Sequence, residues 1–561
     1  MTDNHEHPYI PKLKQQLNDR KIDRRDFLRT ATLLGMSATA AYAFAGKVAG
    51  GGMVAPAAAQ AALPKGGTLR IGMRVHEIKE PQAVSWTEAS NIIRPVAEYL
   101  SYTGHDNVTK PYLLEKWEAS EDLKTWTLHL RKNVTWRNGK KFVADHAIWN
   151  IRRVLDPKTG SSVLGLMKGY MLTEFETGEK DDKGNPKKST KLWDSRAIEK
   201  VDDNTFRLNC QTAQLAVPEH FFHYPFFMLD PEENGAFKPG FSGTGAFVLE
   251  SHEVGRRAVF KARKDYWGTG PYLDSIEYID LGNDNSAWIA ALASKQIDGL
   301  YEVDINQIDA IKALPHVAIY PATTSQTGVA RVRPDTKPFG DKRVRLAMRL
   351  ATDAQAVVDT VFRGSATVGE HHHVAPIHPE YAKLPPMKRD VAKAKQLLAD
   401  AGFPNGIDAE IGAKVQPAWE VAAVQVMVEQ WKEAGIRVKI NTMPAQNYWD
   451  NWTKMPFGFT SWAHRPLGVM TLGLAYRTGV PWNESGYSNK EFDELLSKAE
   501  GILDVDKRRE VTKRLEEILQ EDGTIVQPLW RVVNTAYDKK VLGFKMHPTQ
   551  YIFPEQLAVK T

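Results

Sequence analysis

Histidines are the side chains whose spacing first suggests chemistry in this sequence. His371, His372 and His373 are consecutive, and His378 lies nearby. Imidazole nitrogen is a common transition-metal ligand. Three adjacent side chains cannot all face one ion from a regular helix or strand, however, and tight sites combine ligands from separate segments. We therefore interpret the run as a polar loop after Gly369 and expect no metal, with a metal site as the lesser alternative.

Motifs of the common catalytic classes are absent from the sequence. There is no His-Glu-x-x-His, no Gly-x-Ser-x-Gly, no Walker loop and no Cys-x-x-Cys pair. Gly243 and Gly245 lack the third glycine of a dinucleotide-binding loop. The one cysteine, Cys210, excludes an intramolecular disulfide. We expect neither catalysis nor a cofactor.

Short strands and helices alternate along the chain and must position any site. Period-two alternation predicts strands at residues 68–72, 126–130, 436–440 and 524–533. Apolar residues at helical spacing predict helices at residues 142–155, 342–362, 391–401, 418–434, 492–503 and 508–519. The polar stretch 165–190 is interpreted as a loop insertion. The alternation indicates mixed α/β layers.

The N-terminal stretch has the three-part layout of a signal peptide. Basic residues, among them Arg24 and Arg25, precede an Ala/Gly-rich apolar run at 31–46, and later small residues suit cleavage after Ala61. The paired arginines resemble the twin-arginine export motif. The run is too short and weak for a permanent span, which takes about 20 strongly apolar residues. We predict a twin-arginine signal peptide at 1–61, outside the mature fold; the alternative is an amphipathic helix that stays attached.

Composition bounds the class of protein. The 561 residues are 42% hydrophobic and 25% charged, a globular balance that calls for two or three domains. Residues 1–61 hold eight of the 73 basic and five of the 68 acidic residues, so the remainder has a formal charge of +2. This near neutrality gives no reason to expect nucleic acid or an anionic membrane as partner. Of the many aromatic residues, most are expected in the core and some in a ligand cleft.

Seven segments in one order resemble the family 5 extracellular solute-binding proteins, which include oligopeptide, dipeptide and nickel receptors. The segments are Thr125–Gly139, Gly243–Phe247, Asp265–Gly268 with Pro271–Ile276, Ala293–Asp298, Pro338–Phe339 with Arg343–Arg345, Ala394–Phe403, and Asn483–Ser488 leading into Phe492. Each alone is a weak signal, but together they cover nearly all of the chain after the leader.

The resemblance implies a two-lobed α/β fold of the periplasmic-binding-protein class (type II, the large peptide-receptor group) with an extra insert domain. Lobe I would combine residues 62–106, 236–331 and 527–561, the insert domain would be 107–235, and lobe II would be 332–526. A ligand would bind between lobes that close by hinge motion. The implied partners are the permease subunits of an ABC transporter and, during export, the twin-arginine translocase. A monomer is expected.

The segment Trp462-Ala463-His464-Arg465 corresponds, by this resemblance, to a Trp-x-x-Asp segment whose Asp pairs with a peptide's amino terminus in peptide-binding relatives. Arg465 takes the place of that carboxylate. A guanidinium cannot pair with an ammonium group and suits a carboxylate or phosphate. We therefore hypothesise a ligand with an anionic group at this end. The alternatives are that Arg465 pairs with an acid of lobe II, that Trp462 is core and not a stacking surface, and that His464 caps the loop.

Other candidate ligand contacts follow from the resemblance and from loop position. Tyr102 follows the first segment, Gln326 and Thr327 lie at the crossing into lobe II, and Trp482 and Asn483 lie in a loop flanked by Pro and Gly. Each of these residues is either a ligand contact or an ordinary loop residue.

The predicted function is that of the periplasmic substrate-binding component of an ABC importer for peptides or for a peptide-like or anionic small solute. One alternative from another class is a secreted enzyme exported folded by the twin-arginine route. A second is a sensor or chaperone built on the same fold. The sequence does not name the ligand.

Overall fold

The computed structural model describes residues 6–48, 63–180, 184 and 186–560. Its strands are β1 Thr68–Gly72, β2 Ser101–Thr103, β3 Thr109–Pro111, β4 Leu114–Ala119, β5 Thr125–Leu130, β6 Leu172–Lys180, β7 Pro186–Leu192, β8 Ile198–Asp202, β9 Thr205–Asn209, β10 Phe247–Glu253, β11 Arg257–Ala262, β12 Ser275–Ile279, β13 Gly299–Leu300, β14 Val317–Val332, β15 Ala366–Val368, β16 Ile407–Lys414, β17 Ile436–Met443, β18 Phe457–Trp462, β19 Ile525–Asp538, β20 Val541–Leu542 and β21 Ala558–Val559.

Helices alternate with these strands, which confirms the predicted mixed α/β class. The α-helices are α1 Ile10–Asn18, α2 Arg24–Leu33, α3 Ala38–Val48, α4 Thr87–Ile93, α5 Ala144–Leu155, α6 Val163–Met171, α7 Val217–His220, α8 Asn285–Ala293, α9 Ile308–Lys312, α10 Lys342–Leu350, α11 Ala354–Phe362, α12 Val391–Asp400, α13 Ala418–Glu433, α14 Ala445–Asn451, α15 Gly468–Ala475, α16 Lys490–Glu500 and α17 Val505–Asp522. Short 3₁₀ helices lie at Pro81–Ala83, Pro157–Thr159, Pro231–Glu233, Ile305–Gln307 and Pro554–Gln556.

A central sheet organises the molecule, and its strand order is β10-β11-β12-β1-β13-β19-β14-β18-β16-β17, with β15 paired to β19. The strands β10 to β13 with β1 form one group, here called the β1 side. The strands β16, β17 and β18 form the other group, called the β18 side. Between them lie the two long antiparallel strands β14 and β19. A separate sheet of order β4-β5-β9-β8 lies within the predicted insert domain.

The long strands β14 and β19 connect the two sides and change register between them. Residues 317–323 of β14 pair with residues 532–538 of β19, beside β13. The pairing shifts between Thr323 and Thr327, after which β14 pairs with both β19 and β18. One large apolar cluster extends across both sides, because it contains Ile71 and Tyr278 of the β1 side and Trp462 of the β18 side. Smaller clusters lie around Leu292 and Ile311 and around Val424 and Phe459. The sheet is therefore continuous between the two sides, and part of the apolar core is continuous with it. The domain boundaries given above remain a prediction.

Two local predictions are wrong. The stretch 165–190 is not a plain loop insertion, because part of helix α6 and the hairpin β6–β7 occupy most of it. Both faces of the hairpin are largely exposed, and cross-strand pairs such as Lys187–Glu179 at 3.2 Å line it, so no apolar alternation marks its strands. The single helix predicted at 342–362 is two helices, because the Asp353 carboxylate accepts the Ala356 N–H at 3.0 Å and starts α11.

The N-terminal stretch packs against the rest of the chain in the structure. Phe27 and Leu28 of α2 are buried, and the Trp117 indole donates to the Leu33 carbonyl at 2.9 Å. In the uncleaved chain the apolar side chains of this stretch are therefore buried against the fold. The prediction that residues 1–61 lie outside the mature fold concerns the cleaved chain and stays a prediction. The cleavage segment lies outside the described residues, and the signal peptide remains a prediction. In the described parts of the chain, no helix is long and apolar enough to cross a membrane.

A buried ion pair joins β14 to the loop after α15. The Arg331 guanidinium donates to the Glu484 carboxylate at 2.9 Å, and both side chains are almost fully buried. Glu484 also accepts the Trp462 indole N–H at 2.8 Å and the Thr460 hydroxyl at 2.5 Å. The carboxylate therefore holds β18 and β14 together through three side chains.

We expect the substitution Glu484→Ala to lower the free energy of unfolding by about 3–5 kcal/mol, since it leaves a buried guanidinium unpaired. Urea denaturation measures the change. The matched control is Glu494→Ala, whose 3.7 Å pair with Lys490 has side chains 68% and 91% exposed. That change should stay below about 0.5 kcal/mol. Equal effects of the two substitutions would contradict this role for Glu484.

Candidate ligand-binding cleft

A cavity of about 250 Å³ lies where β14 and β19 cross between the two sides of the sheet. Its lining comes from the β1 side, the β18 side and the crossing strands. The lining residues include Arg74, His76, Trp86, Glu88, Tyr224, Trp288, Tyr301, Glu302, Asp304, Gln326, Lys414, Gln416, Trp449, Ser461, Ala463, Arg531 and Gln550. Apolar rings and charged groups are therefore mixed in one enclosure, as in most small-molecule sites.

Direct contacts join the two sides across this cavity. The rings of Trp86 and Trp449 come within 5.5 Å, centroid to centroid. The Gln416 amide donates to the Asn283 carbonyl at 3.2 Å. The structure therefore holds the two sides together around the cavity.

Arg531 of β19 lines the cavity and contacts both sides of the sheet. Its guanidinium donates to Glu302 of the β1 side at 2.5 Å and lies 4.3 Å from the centre of the Trp419 ring, which belongs to α13. It also donates to the Gln326 side chain. The Gln550 amide donates to the other oxygen of Glu302 at 3.0 Å. A fixed cation with a planar face is suited to an anionic or aromatic ligand group.

Lys414, at the end of β16, is the cation of the β18 side. Its ammonium lies 2.6 Å from the Glu420 carboxylate and within 4.6 Å of the Tyr448 and Trp449 ring centres. Burial raises the pKa of the Glu420 carboxyl, and the Lys414 ammonium offsets part of that rise. On the β1 side, the Glu88 carboxylate accepts the backbone N–H of Arg74 at 2.8 Å and lies 3.0 Å from His76 Nε2.

Gln326 is the one predicted site residue that the structure places in the described cavity lining. Arg465 lies behind the lining, with its guanidinium 5.1 Å from the ring of Tyr224, which does line it. Its Nη1 donates to the carbonyls of Ala463 and His464, so it pairs with no acid of the described chain. The anionic-ligand role of Arg465 therefore stays a prediction without a direct path to this cavity.

The other predicted residues have partners inside the protein. Trp462 is 4% exposed and binds Glu484, and Trp482 packs on it with ring centres 5.9 Å apart. His464 Nδ1 lies 2.9 Å from the Ser325 hydroxyl and Nε2 lies 2.9 Å from the Asn107 side chain.

The remaining three are also held from within. Asn483 donates to the Tyr487 carbonyl at 2.7 Å, and the Thr327 hydroxyl donates to the Leu529 carbonyl at 2.5 Å. Tyr102 contacts the Phe553 ring at 4.9 Å. Ligand contact by these residues remains untested.

Sequence reasoning missed most of the lining. Trp86, Trp449 and Lys414 lie in segments with no distinctive motif. Arg531 carried a usable signal, because it is a charged residue inside the apolar strand predicted at 524–533.

The histidine run lies in a loop, as expected, but the loop is buried. His371, His372 and His373 are at most 3% exposed, and His373 Nδ1 lies 2.8 Å from the Tyr476 hydroxyl. His378 Nε2 lies 3.0 Å from the Arg465 carbonyl. Within the described residues, no group of three or more His, Cys, Asp or Glu side chains has the geometry to hold a metal ion.

Comparisons with known proteins agree with this architecture. The sequence model of the bacterial extracellular solute-binding proteins, family 5, matches residues 108–484. A heme-binding protein A of Haemophilus influenzae is 22% identical, with 79% of this chain and 82% of that protein covered.

Two solved structures show the fold. A periplasmic binding protein AgaA in complex with agropinic acid, from A. tumefaciens R10, has a TM-score of 0.77 at 21% identity, covering 88% of this chain and 99% of that one. An ABC transporter-associated periplasmic binding protein DppA from Helicobacter pylori, in complex with the peptide STSA, has a TM-score of 0.76 at 19% identity and covers 89% and 99%. The predicted two-lobed fold is thereby confirmed.

Buried neutral histidines make stability fall on the acid side. Burial lowers the pKa of His371, His373 and His547 to about 3 and that of His378 to about 4. Between pH 6.5 and about 4 the unfolded chain binds protons that the folded chain does not, so the free energy of unfolding decreases as the pH falls. Each such group contributes up to about 1.4 kcal/mol per pH unit.

Glu516 has the opposite effect. Burial raises its pKa to about 9, so between pH 4.5 and 9 the folded state binds a proton that the unfolded state does not. The free energy of unfolding from this group therefore decreases as the pH rises. We therefore expect maximal stability near pH 6.5, with a decline on both sides that is steeper toward acid. Urea denaturation at pH 5, 6.5 and 8 measures it. Undiminished stability at pH 5 would show that the histidines are not neutral and buried.

Proposed function

Because the chain belongs to the bacterial extracellular solute-binding proteins of family 5, we propose that it is the periplasmic substrate-binding component of an ABC importer and holds its solute in the cavity between the lobes. The observation that carries the proposal is the position of the cavity. A 250 Å³ space is lined from both sides of the sheet and lies at the crossing of β14 and β19. Members of this family are solute-binding proteins, and we propose that this chain catalyses no reaction.

The solute that fits is small. Pockets for drug-sized ligands have volumes of about 300–1,000 Å³, and the cavity has 250 Å³. Relatives bind solutes as different as agropinic acid and a four-residue peptide. We propose a short peptide or a peptide-like or anionic small solute, held by the aromatic and charged lining.

Binding and lobe closure are coupled in this proposal. The two sides of the sheet share the strands β14 and β19, while Trp86–Trp449 and Gln416–Asn283 join the sides across the cleft. Flexing at the register shift would separate those contacts and admit the solute. A solute that contacts both lobes favours the closed form, because only that form makes all of its contacts. The permease would then distinguish loaded from empty receptor by shape.

The remaining parts of the proposal concern export and assembly. We propose that residues 1–61 are a twin-arginine signal removed at export, that the mature receptor acts in the periplasm as a monomer, and that the permease subunits of the importer are its partners. The arginine pair supports the export route, because Arg24 and Arg25 are exposed and are therefore accessible to a translocase.

We expect native mass spectrometry of the protein isolated from the periplasm to show one small solute per chain. Ala463→Phe should lose the bound mass, since the added ring occupies the cavity. Val254→Phe, at a position 57% exposed, is the matched control and should keep it. Incubation should return the solute chemically unchanged.

Retention of the solute by Ala463→Phe would place the site elsewhere. A solute converted to a new mass would instead support the secreted-enzyme alternative.

A further inference from the structure

The charged groups that line the cavity are nearly all matched by partners within the protein. Glu302 is held by Arg531 and Gln550, so its negative charge is compensated before a solute enters. Lys414 is matched by Glu420 at 2.6 Å. A ligand gains little by facing a charge that is already paired, because it must compete with the existing partner.

The remaining acids are matched as well. Glu88 lies 3.0 Å from His76 Nε2 and accepts a backbone N–H. Asp304 starts a short helix, and its carboxylate accepts the Asn306 N–H at 2.9 Å. These two carboxylates therefore have hydrogen-bond partners in the empty cavity.

Arg74 is the exception among the charged residues of the described lining. It follows β1 on the β1 side and is half-buried. Its backbone N–H binds Glu88, but its guanidinium has no hydrogen bond or ion pair with any described residue. A planar guanidinium with free donors, carried by a residue of the cavity lining, is a ready partner for a carboxylate, which it can bind through two parallel hydrogen bonds.

The rings near this cation set the shape of the rest of the ligand. Trp86 and Trp288 line the cavity from the β1 side and Trp449 from the β18 side. Aromatic faces stack on flat apolar groups and are indifferent to whether the ligand carries an amine. Every carboxylate in the described lining already has a partner within the protein. None of them is therefore free to pair with a ligand ammonium.

We propose that Arg74 is the specificity-determining residue of this cleft, and that the solute is a small monocarboxylate with a flat apolar body, bound by its carboxylate and not by a free amine. The inference rests on the proposed function and names the solute class of the same site. It transfers to Arg74 the role that the sequence suggested for Arg465, which lies behind Tyr224.

The test is a thermal-shift and calorimetric screen of the full-length protein. The probes are alanyl-phenylalanine, N-acetylphenylalanine and indole-3-acetate, each beside its primary amide. The proteins are wild type, Arg74→Gln and the matched control Arg70→Gln, which removes the same charge from strand β1 at a position outside the cavity lining.

We expect at least one carboxylate to stabilise the wild type, and its amide to do so far less. Acetylation of the amine should not abolish binding. Arg74→Gln should weaken the binding carboxylate about 30-fold or more in Kd, the usual loss when one partner of a partly buried charge pair is removed. Arg70→Gln should change Kd by less than about twofold.

Two results would overturn the inference while leaving the receptor function standing: an amide that binds as tightly as its acid, or carboxylate binding that survives Arg74→Gln. If no carboxylate binds the wild type, the inference also fails. Native mass spectrometry then separates the cases, because a bound solute of another class keeps the proposed function and an empty protein removes it.

Discussion

The antiparallel pairing of β14 and β19 is the constraint on which the rest of this structure depends. These two strands are hydrogen-bonded to each other along most of their length and to a different neighbour on each side. Backbone pairing keeps the sheet continuous, and one large apolar cluster also extends across both sides. The cavity lies at this pairing, because Gln326 of β14 and Arg531 of β19 both line it.

Most charged groups at the cleft are paired with other groups of the protein. Arg531 reaches from β19 to Glu302 on one side and to Trp419 on the other. Glu484 gathers Arg331, Thr460 and Trp462 into one buried network. Buried charges without partners are costly, and these networks remove that cost while fixing the strands that carry the lining. Of the charged lining residues that the structure describes, Arg74 alone has a charged group without a hydrogen bond or ion pair.

Local signals predicted the elements well where burial is one-sided. The strand at 68–72 and the helices near 391–401 and 418–434 have the expected bounds to within a residue. The hairpin at 172–192 was not predicted, because neither of its faces is buried and its residues need not alternate between apolar and polar. The boundary between α10 and α11 at Asp353 was not predicted, because a capping side chain interrupts a pattern that is otherwise helical. Of the predicted site, Gln326 reached the cavity lining, whereas Trp462 and Arg465 were assigned by position in a motif and face partners inside the protein.

By itself the sequence determined the family, the mixed α/β class and the absence of any disulfide, because ordered motifs, periodicity and a single cysteine are properties of the chain read in one direction. Only the tertiary structure decided which charges face the cavity and which of them are already paired. Arg74 precedes Trp449 and Arg531 by hundreds of residues, yet all three line one space. Pairing depends on distances across the fold, and a guanidinium such as that of Arg465 can lie behind one tyrosine ring that lines the cavity.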